Sequence, residues 1–300
     1  MQPVSQSSSS FDSDDGVHPA GQNRMRYKIK RPNGVELEVY AYGDRGGDLI
    51  VMLPSLGRGA EDLADIATPL SQAGYRVLCP EPRGNGGSTG PLEGKTLHDW
   101  AEDIAAVIEH DGGGPAFVIG HAHGNWIART VASDRPDLVR ALLLLAGSAG
   151  KVPVGYQGVP ISDETRAQIE VCGNMLLPEA TRLESLQKVF FAPGNDARAW
   201  LNGWNTTLMT MQTLAQKRTP VDDFFAGGTA PILNLQAEYD VIAPARFANV
   251  LKDYLGERVT NKTIQNAAHA LLPEQPQAVI QEMLAYLAAQ SRLANHTRDE

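Results

Sequence analysis

The stretch that decides the fold is Phe117-Val-Ile-Gly-His-Ala-His-Gly-Asn-Trp-Ile-Ala-Arg129. The apolar run Ala116 to Ile119 reads as a buried strand. The chain breaks at Gly120, turns through His121 and Ala122, and resumes at His123-Gly124 as a helix. Glycines on either side of a central residue permit such a tight strand-to-helix turn, because larger side chains would collide with the neighbouring elements. The turn lifts the central side chain above the sheet, beside helix N–H groups that can hold an anion. The central residue here is alanine, so the place of a nucleophilic serine is taken by a methyl group.

Outward from this stretch, strands and helices alternate. Arg26 to Lys30 and Val35 to Tyr42 flank Pro32-Asn33-Gly34 and predict an antiparallel hairpin. Leu49 to Leu53 predicts a buried parallel strand, followed by the turn Pro54-Ser-Leu-Gly-Arg-Gly59 and helical spacing from Ala60 to Ala73. Tyr75 to Cys79 is the next strand. Thr96 is a predicted N-cap for a helix reaching about His110, and Leu138 to Leu145 a further strand. From about Gly150 the strand rhythm stops. Asp163 to Cys172, Glu179 to Phe191 and Asp196 to Gln216 read as helices, with Trp200 and Trp204 four residues apart. Strand Ile232 to Gln236, helix Pro244 to Leu255, strand Arg258 to Ile264 and helix Gln277 to about Arg292 complete the pattern. The fold class is therefore α/β, with a mostly parallel sheet covered on both faces. Three parts are expected: a disordered tail at 1–22, a core at 23–149 and 229–293, and a helical cap at 150–228. The last few residues are expected to fray.

Composition narrows the function classes. Of the 300 residues 42% are hydrophobic and 20% charged, as in ordinary globular proteins, and the net charge of −9 argues against nucleic acid or an anionic membrane as partner. No apolar run approaches the roughly 20 residues of a membrane span, and the N-terminus lacks the features of a secretory signal. The chain is thus read as cytoplasmic. Cys79 and Cys172 form neither a disulfide framework nor a zinc motif, so no metal is expected. Oligomeric state is not legible.

Four ordered motifs resemble those of the α/β-hydrolase fold with a helical cap, over about residues 26 to 290. Glu81-Pro-Arg-Gly-Asn-Gly-Gly-Ser88 is similar to the Asp-x-Arg-Gly-x-Gly-x-Ser turn after that family's fourth strand. Gly120-His-Ala-His-Gly124 matches its nucleophile elbow except at the centre. Glu238-Tyr-Asp240-Val-Ile-Ala-Pro244 matches the acid turn, and Ala267-Ala-His269-Ala-Leu-Leu-Pro273 the histidine loop. The resemblance implies His269 as general base and Asp240 as the group that fixes its tautomer, with Ala122 at the nucleophile position. It implies the backbone N–H groups of Leu56 and His123 as oxyanion donors. The family's usual His-Gly at the start of that loop is Pro54-Ser55 here. Ser55, His121, Ser148 and Trp204 are candidate pocket residues, Ser148 also as a displaced hydroxyl. Trp200, Trp204 and Tyr156 read either as a roof over substrate or as cap packing, and Trp126 as core.

A methyl group excludes acyl-enzyme chemistry at position 122. Three explanations stay open: a serine replaced by design to trap substrate, a native general-base enzyme without a serine nucleophile, or a ligand-binding member of the fold. For the second, His121-Ala-His-Gly-Asn-Trp126 is similar to the His-Ser-His-Gly-x-Trp elbow of cofactor-free dioxygenases in this fold, which implies oxygenase or lyase chemistry. The leading expectation is a cofactor-free hydrolase of a small, apolar ester, lactone or related acyl substrate.

Overall fold

The computed structural model describes residues 24–296. The tail expected at 1–22 lies outside the described residues. The hairpin pairs β1 (Arg24–Arg31) with β2 (Val35–Tyr42), and β3 (Leu49–Leu53) and α1 (Ala64–Gln72) follow. Next come β4 (Arg76–Pro80), α2 (Leu97–Asp111), β5 (Ala116–His121), α3 (His123–Asp134) and β6 (Val139–Leu145). The segment before the next strand holds α4 (Asp163–Gly173), α5 (Glu179–Val189), α6 (Thr206–Arg218) and α7 (Val221–Phe224). Strand β7 (Ile232–Ala237), α8 (Ala245–Leu255), β8 (Val259–Ile264), α9 (Leu271–Glu274) and α10 (Pro276–His296) close the chain.

The eight strands form one sheet in the order β1-β2-β4-β3-β5-β6-β7-β8. The pairs β1–β2 and β2–β4 are antiparallel and all others parallel. Its central strands are apolar on both sides because side chains alternate faces and helices cover both. Val51, Val118 and Leu142 face α2 and α3; Ile50, Phe117 and Leu143 face α1 and α10. Thr96 caps α2 in a reciprocal box, its N–H donating to Asp99 Oδ2 at 2.9 Å. Deeper in α2, Asp103 accepts two bonds from Arg83, at 3.0 and 2.8 Å, in a pair only 3% exposed. Arg31 also reaches Asp103. This pairing fixes the glycine-rich turn after β4 against the core.

Register brings the strand ends to one edge. Leu53 lies opposite Gly120, His121 opposite Leu145, and Leu145 opposite Leu235. The loops after β3, β5, β6 and β7 therefore meet above the carboxyl ends of the strands, where open α/β sheets place ligands. The inserted helices sit over this edge and carry their own apolar cluster: Cys172, Leu186, Phe190, Trp200, Trp204 and Met209, joined by Ile242 and Ala270 of the core.

One expected helix is interrupted. Asp196 to Gln216 is a short 3-10 turn, Ala197–Trp200, then an irregular link, then α6. Gly203 adopts φ +85, and the Asn205 side chain caps α6 by accepting from Leu208 N at 3.0 Å. No helix among the described residues is long and apolar enough to cross a membrane.

Candidate active site

At the elbow Ala122 adopts φ 49, ψ −109, a region L-residues rarely occupy. The surroundings enforce it. Ala122 N donates to Leu145 O at 2.9 Å, and Asn125 Nδ2 donates to Ala122 O at 2.6 Å. A Cβ on Gly120 would lie 2.3 Å from the Gly124 backbone, and one on Gly124 2.6 Å from Leu53 O. Both elbow glycines are therefore required by close backbone approach, and the start of α3 lies directly against the end of β3.

The acid and the histidine come together as the motifs imply. His269 Nδ1 is 2.9 Å from Asp240 Oδ2, with both residues buried. The other Asp240 oxygen accepts the N–H groups of Ile242 and Ala243 at 2.8 and 2.7 Å. With both oxygens engaged as acceptors, the carboxylate fixes the neutral imidazole as the Nδ1–H tautomer. His269 Nε2 keeps its lone pair, with no protein hydrogen bond among the described residues. His121 braces the histidine loop from below, its Nε2–H donating to His269 O at 2.8 Å. Burial, reinforced by the neighbouring His269, pushes the His121 imidazole down to about 3, so it stays neutral.

Two backbone donors remain unspent. Among the described residues neither Leu56 N nor His123 N is taken by another protein group. For His123 the reason is its place as the first residue of α3, where intrahelical acceptors do not exist. The residue is 5% exposed, and neither ring nitrogen has a partner among the described residues. Desolvation pushes that imidazole down to about 4.

The walls are apolar. Phe190, which no sequence signal singles out, lies 5.6 Å from the His269 ring and 5.4 and 5.7 Å from the rings of Trp200 and Trp204. Trp204 donates to Trp200 O at 2.6 Å, and Arg58 stacks on both indoles at 4.8 and 4.9 Å. Trp200 also reaches the elbow, its ring 5.6 Å from that of His121, so the tryptophans join the insertion to the core. Tyr156 stands apart, edge-on to Phe247. Trp126 packs on Phe224 and donates to Ser148 O. Ser55 is buried at the start of the loop after β3. The Ser148 hydroxyl faces Gly150 N at 3.4 Å and makes no hydrogen bond with His269. Cys172, buried in the insertion, has its thiol pushed up to about 12 by desolvation and is no thiolate at neutral pH. Among the described residues no three His, Cys, Asp or Glu side chains group as a metal site.

A profile described as the alpha/beta hydrolase fold matches residues 48–276. The chain belongs to the α/β-hydrolase fold family. It is 29% identical over 170 residues to the mitochondrial palmitoyl-protein thioesterase ABHD10 of Mus musculus, covering 55% of this chain and 57% of the relative. Epoxide hydrolase A of Mycobacterium tuberculosis is 31% identical over 126 residues, 40% of this chain and 39% of that one. The matches thus span only about four- to six-tenths of those relatives' lengths. An esterase from Exiguobacterium antarcticum superposes with a TM-score of 0.72 at 19% identity, covering 87% of this chain and 98% of its own.

Proposed function

We propose that the chain hydrolyses a small, apolar acyl substrate, an ester, thioester or lactone, with His269 and Asp240 as a general-base dyad and no covalent intermediate at Ala122. The observation that carries this reading is the buried Asp240–His269 pair at 2.9 Å, which leaves Nε2 as the base in a site whose elbow holds only a methyl group.

In this mechanism the volume of the missing hydroxyl admits a water. His269 Nε2 takes a proton from it as its oxygen attacks the carbonyl carbon, and Asp240 stabilises the imidazolium. The developing oxyanion is received by Leu56 N–H and His123 N–H. The imidazolium then returns its proton to the leaving group. Phe190, Met209 and Ile242 supply an apolar surround suited to an acyl chain. The thioesterase and esterase among the similar proteins support acyl chemistry as the class. Turnover is expected to be slow, because a positioned general base contributes about 10²–10⁴-fold and no covalent intermediate adds to it.

The test is intact-mass spectrometry of the chain during incubation with p-nitrophenyl butyrate. Nitrophenolate release with no mass added to the protein is expected. An acyl adduct on the chain, or no product with any member of an ester, thioester and lactone panel, contradicts the reading.

A further inference from the structure

The loop after β3 owes its shape to the inserted helices. Ser55 to Arg58 is a turn closed by Arg58 N donating to Ser55 O at 3.1 Å, with Gly57 at φ +65 in its third position. A type II turn requires positive φ there, which favours glycine. Ser55 C=O and Leu56 N–H belong to one trans peptide plane and point opposite ways. The bond that holds Ser55 O therefore sets the direction in which Leu56 N–H points.

Apart from Asp62, which holds Arg58, the further restraints on the turn come from the segment between β6 and β7. Gly57 N donates to Gln212 Oε1 at 2.8 Å, and Gly57 O accepts from Asn205 N at 2.8 Å. Gln212 lies on α6 and is 1% exposed. Arg58 donates to the carbonyls of Asn202 and Trp200 at 2.6 and 3.3 Å, while Asp62 takes its Nε and a terminal nitrogen at 2.6 and 2.7 Å. A Cβ on Gly57 would come 2.8 Å from Met209 Cβ, so α6 lies in direct contact with the loop. A buried carboxamide is costly unless its polar atoms are engaged, and here its oxygen meets a backbone donor that is otherwise buried without a partner.

We propose that Gln212 is a positioning residue for the oxyanion hole: by holding Gly57 N–H it fixes the 55–58 turn and aims Leu56 N–H over Ala122. The inserted helices and the oxyanion loop then form one unit, and α6 acts on the reaction through that loop without touching substrate. This rests on the proposed function in taking Leu56 N–H as a donor to the oxyanion.

The test compares Gln212→Met, similar in length but without the oxygen, with the unaltered full chain. Amide exchange at Gly57 reads the tether, and NMR titration with butyrate, followed at the Leu56 and His123 amides, reads the hole. Expected are about tenfold faster exchange, about tenfold weaker butyrate binding and, with p-nitrophenyl butyrate, a tenfold or greater fall in kcat at nearly constant KM. Gln212→Glu, which keeps an oxygen in place, retains slow exchange at Gly57. If Gln212→Met does not fold, Gln212→Asn, which withdraws the oxygen by one methylene, is read in the same way. Unchanged exchange, unchanged butyrate affinity, or butyrate that leaves the Leu56 amide unmoved overturns the proposal. Butyrate binding that depends on Gln212 in a chain without hydrolysis upholds it and fails the hydrolase reading alone.

Discussion

Asn125 Nδ2 donates to Ala122 O at 2.6 Å and so pins the elbow from within its own helix. The strained Ala122 conformation is maintained by this bond, by the Leu145 carbonyl and by the two glycine contacts, although no side chain at 122 needs presenting. Strain of this kind costs about 1–3 kcal/mol and persists only where the surroundings over-determine it. Ala122→Gly is expected to relieve it, offset by about 0.5–1 kcal/mol of added unfolded-state entropy. The urea midpoint should rise. A lower midpoint would mean that Ala122 is not strained.

Asp240→Asn tests the tautomer. Oδ1 receives two backbone N–H groups and Oδ2 receives the His269 Nδ1–H, so no orientation of an amide satisfies all three. The imidazole is expected to turn or take the other tautomer, with loss of Nε2 as base. Turnover should fall by about tenfold or more with a near-normal fold by circular dichroism. Retention of activity would remove Asp240 from the mechanism.

Acid stability follows from the elbow histidines. Burial holds His121 at about 3 and His123 at about 4, whereas in the unfolded chain each titrates near its ordinary value of about 6.5. Between those values the unfolded state binds more protons, so stability rises with pH and is lost on acidification from about 6.5 downward. His123→Leu should flatten part of this slope in urea titrations at pH 4.5, 5.5 and 7. An unchanged slope would show that His123 titrates alike in the folded and unfolded chain.

Arg83→Met leaves Asp103 buried with Arg31 as its remaining cation. Breaking a buried pair from one side costs about 3–5 kcal/mol. Thermal unfolding should shift down by several degrees, and Arg83→Met/Asp103→Leu should recover part of the loss. Additive losses in the double variant would count against a coupled pair.

The sequence reading reached the sheet because its central strands are apolar on both faces and its turns carry glycine, proline or a capping residue. Thr96 with Asp99 was legible as a helix start for the same local reason. Gly120, Gly124, Asp240 and His269 were legible because each sits in a short motif at or just after the end of a strand. What escaped was long-range. Gln212 meets Gly57 across 155 positions, and no local pattern joins a glutamine within α6 to a turn after β3. Phe190 reaches His269 through the packing of the insertion on the core. The i,i+4 spacing of Trp200 and Trp204 resembled one helix, yet the chain breaks at Gly203 and restarts at the Asn205 cap, which helical periodicity alone does not reveal.

The central claim is that His269, oriented by Asp240, is the base that activates water above Ala122. Its most direct test is the rate of p-nitrophenyl butyrate hydrolysis by the unaltered chain and by His269→Ala, each confirmed as folded. The account predicts measurable release by the unaltered chain and a fall of about 10²-fold or more in His269→Ala. Equal turnover by the two chains would contradict it.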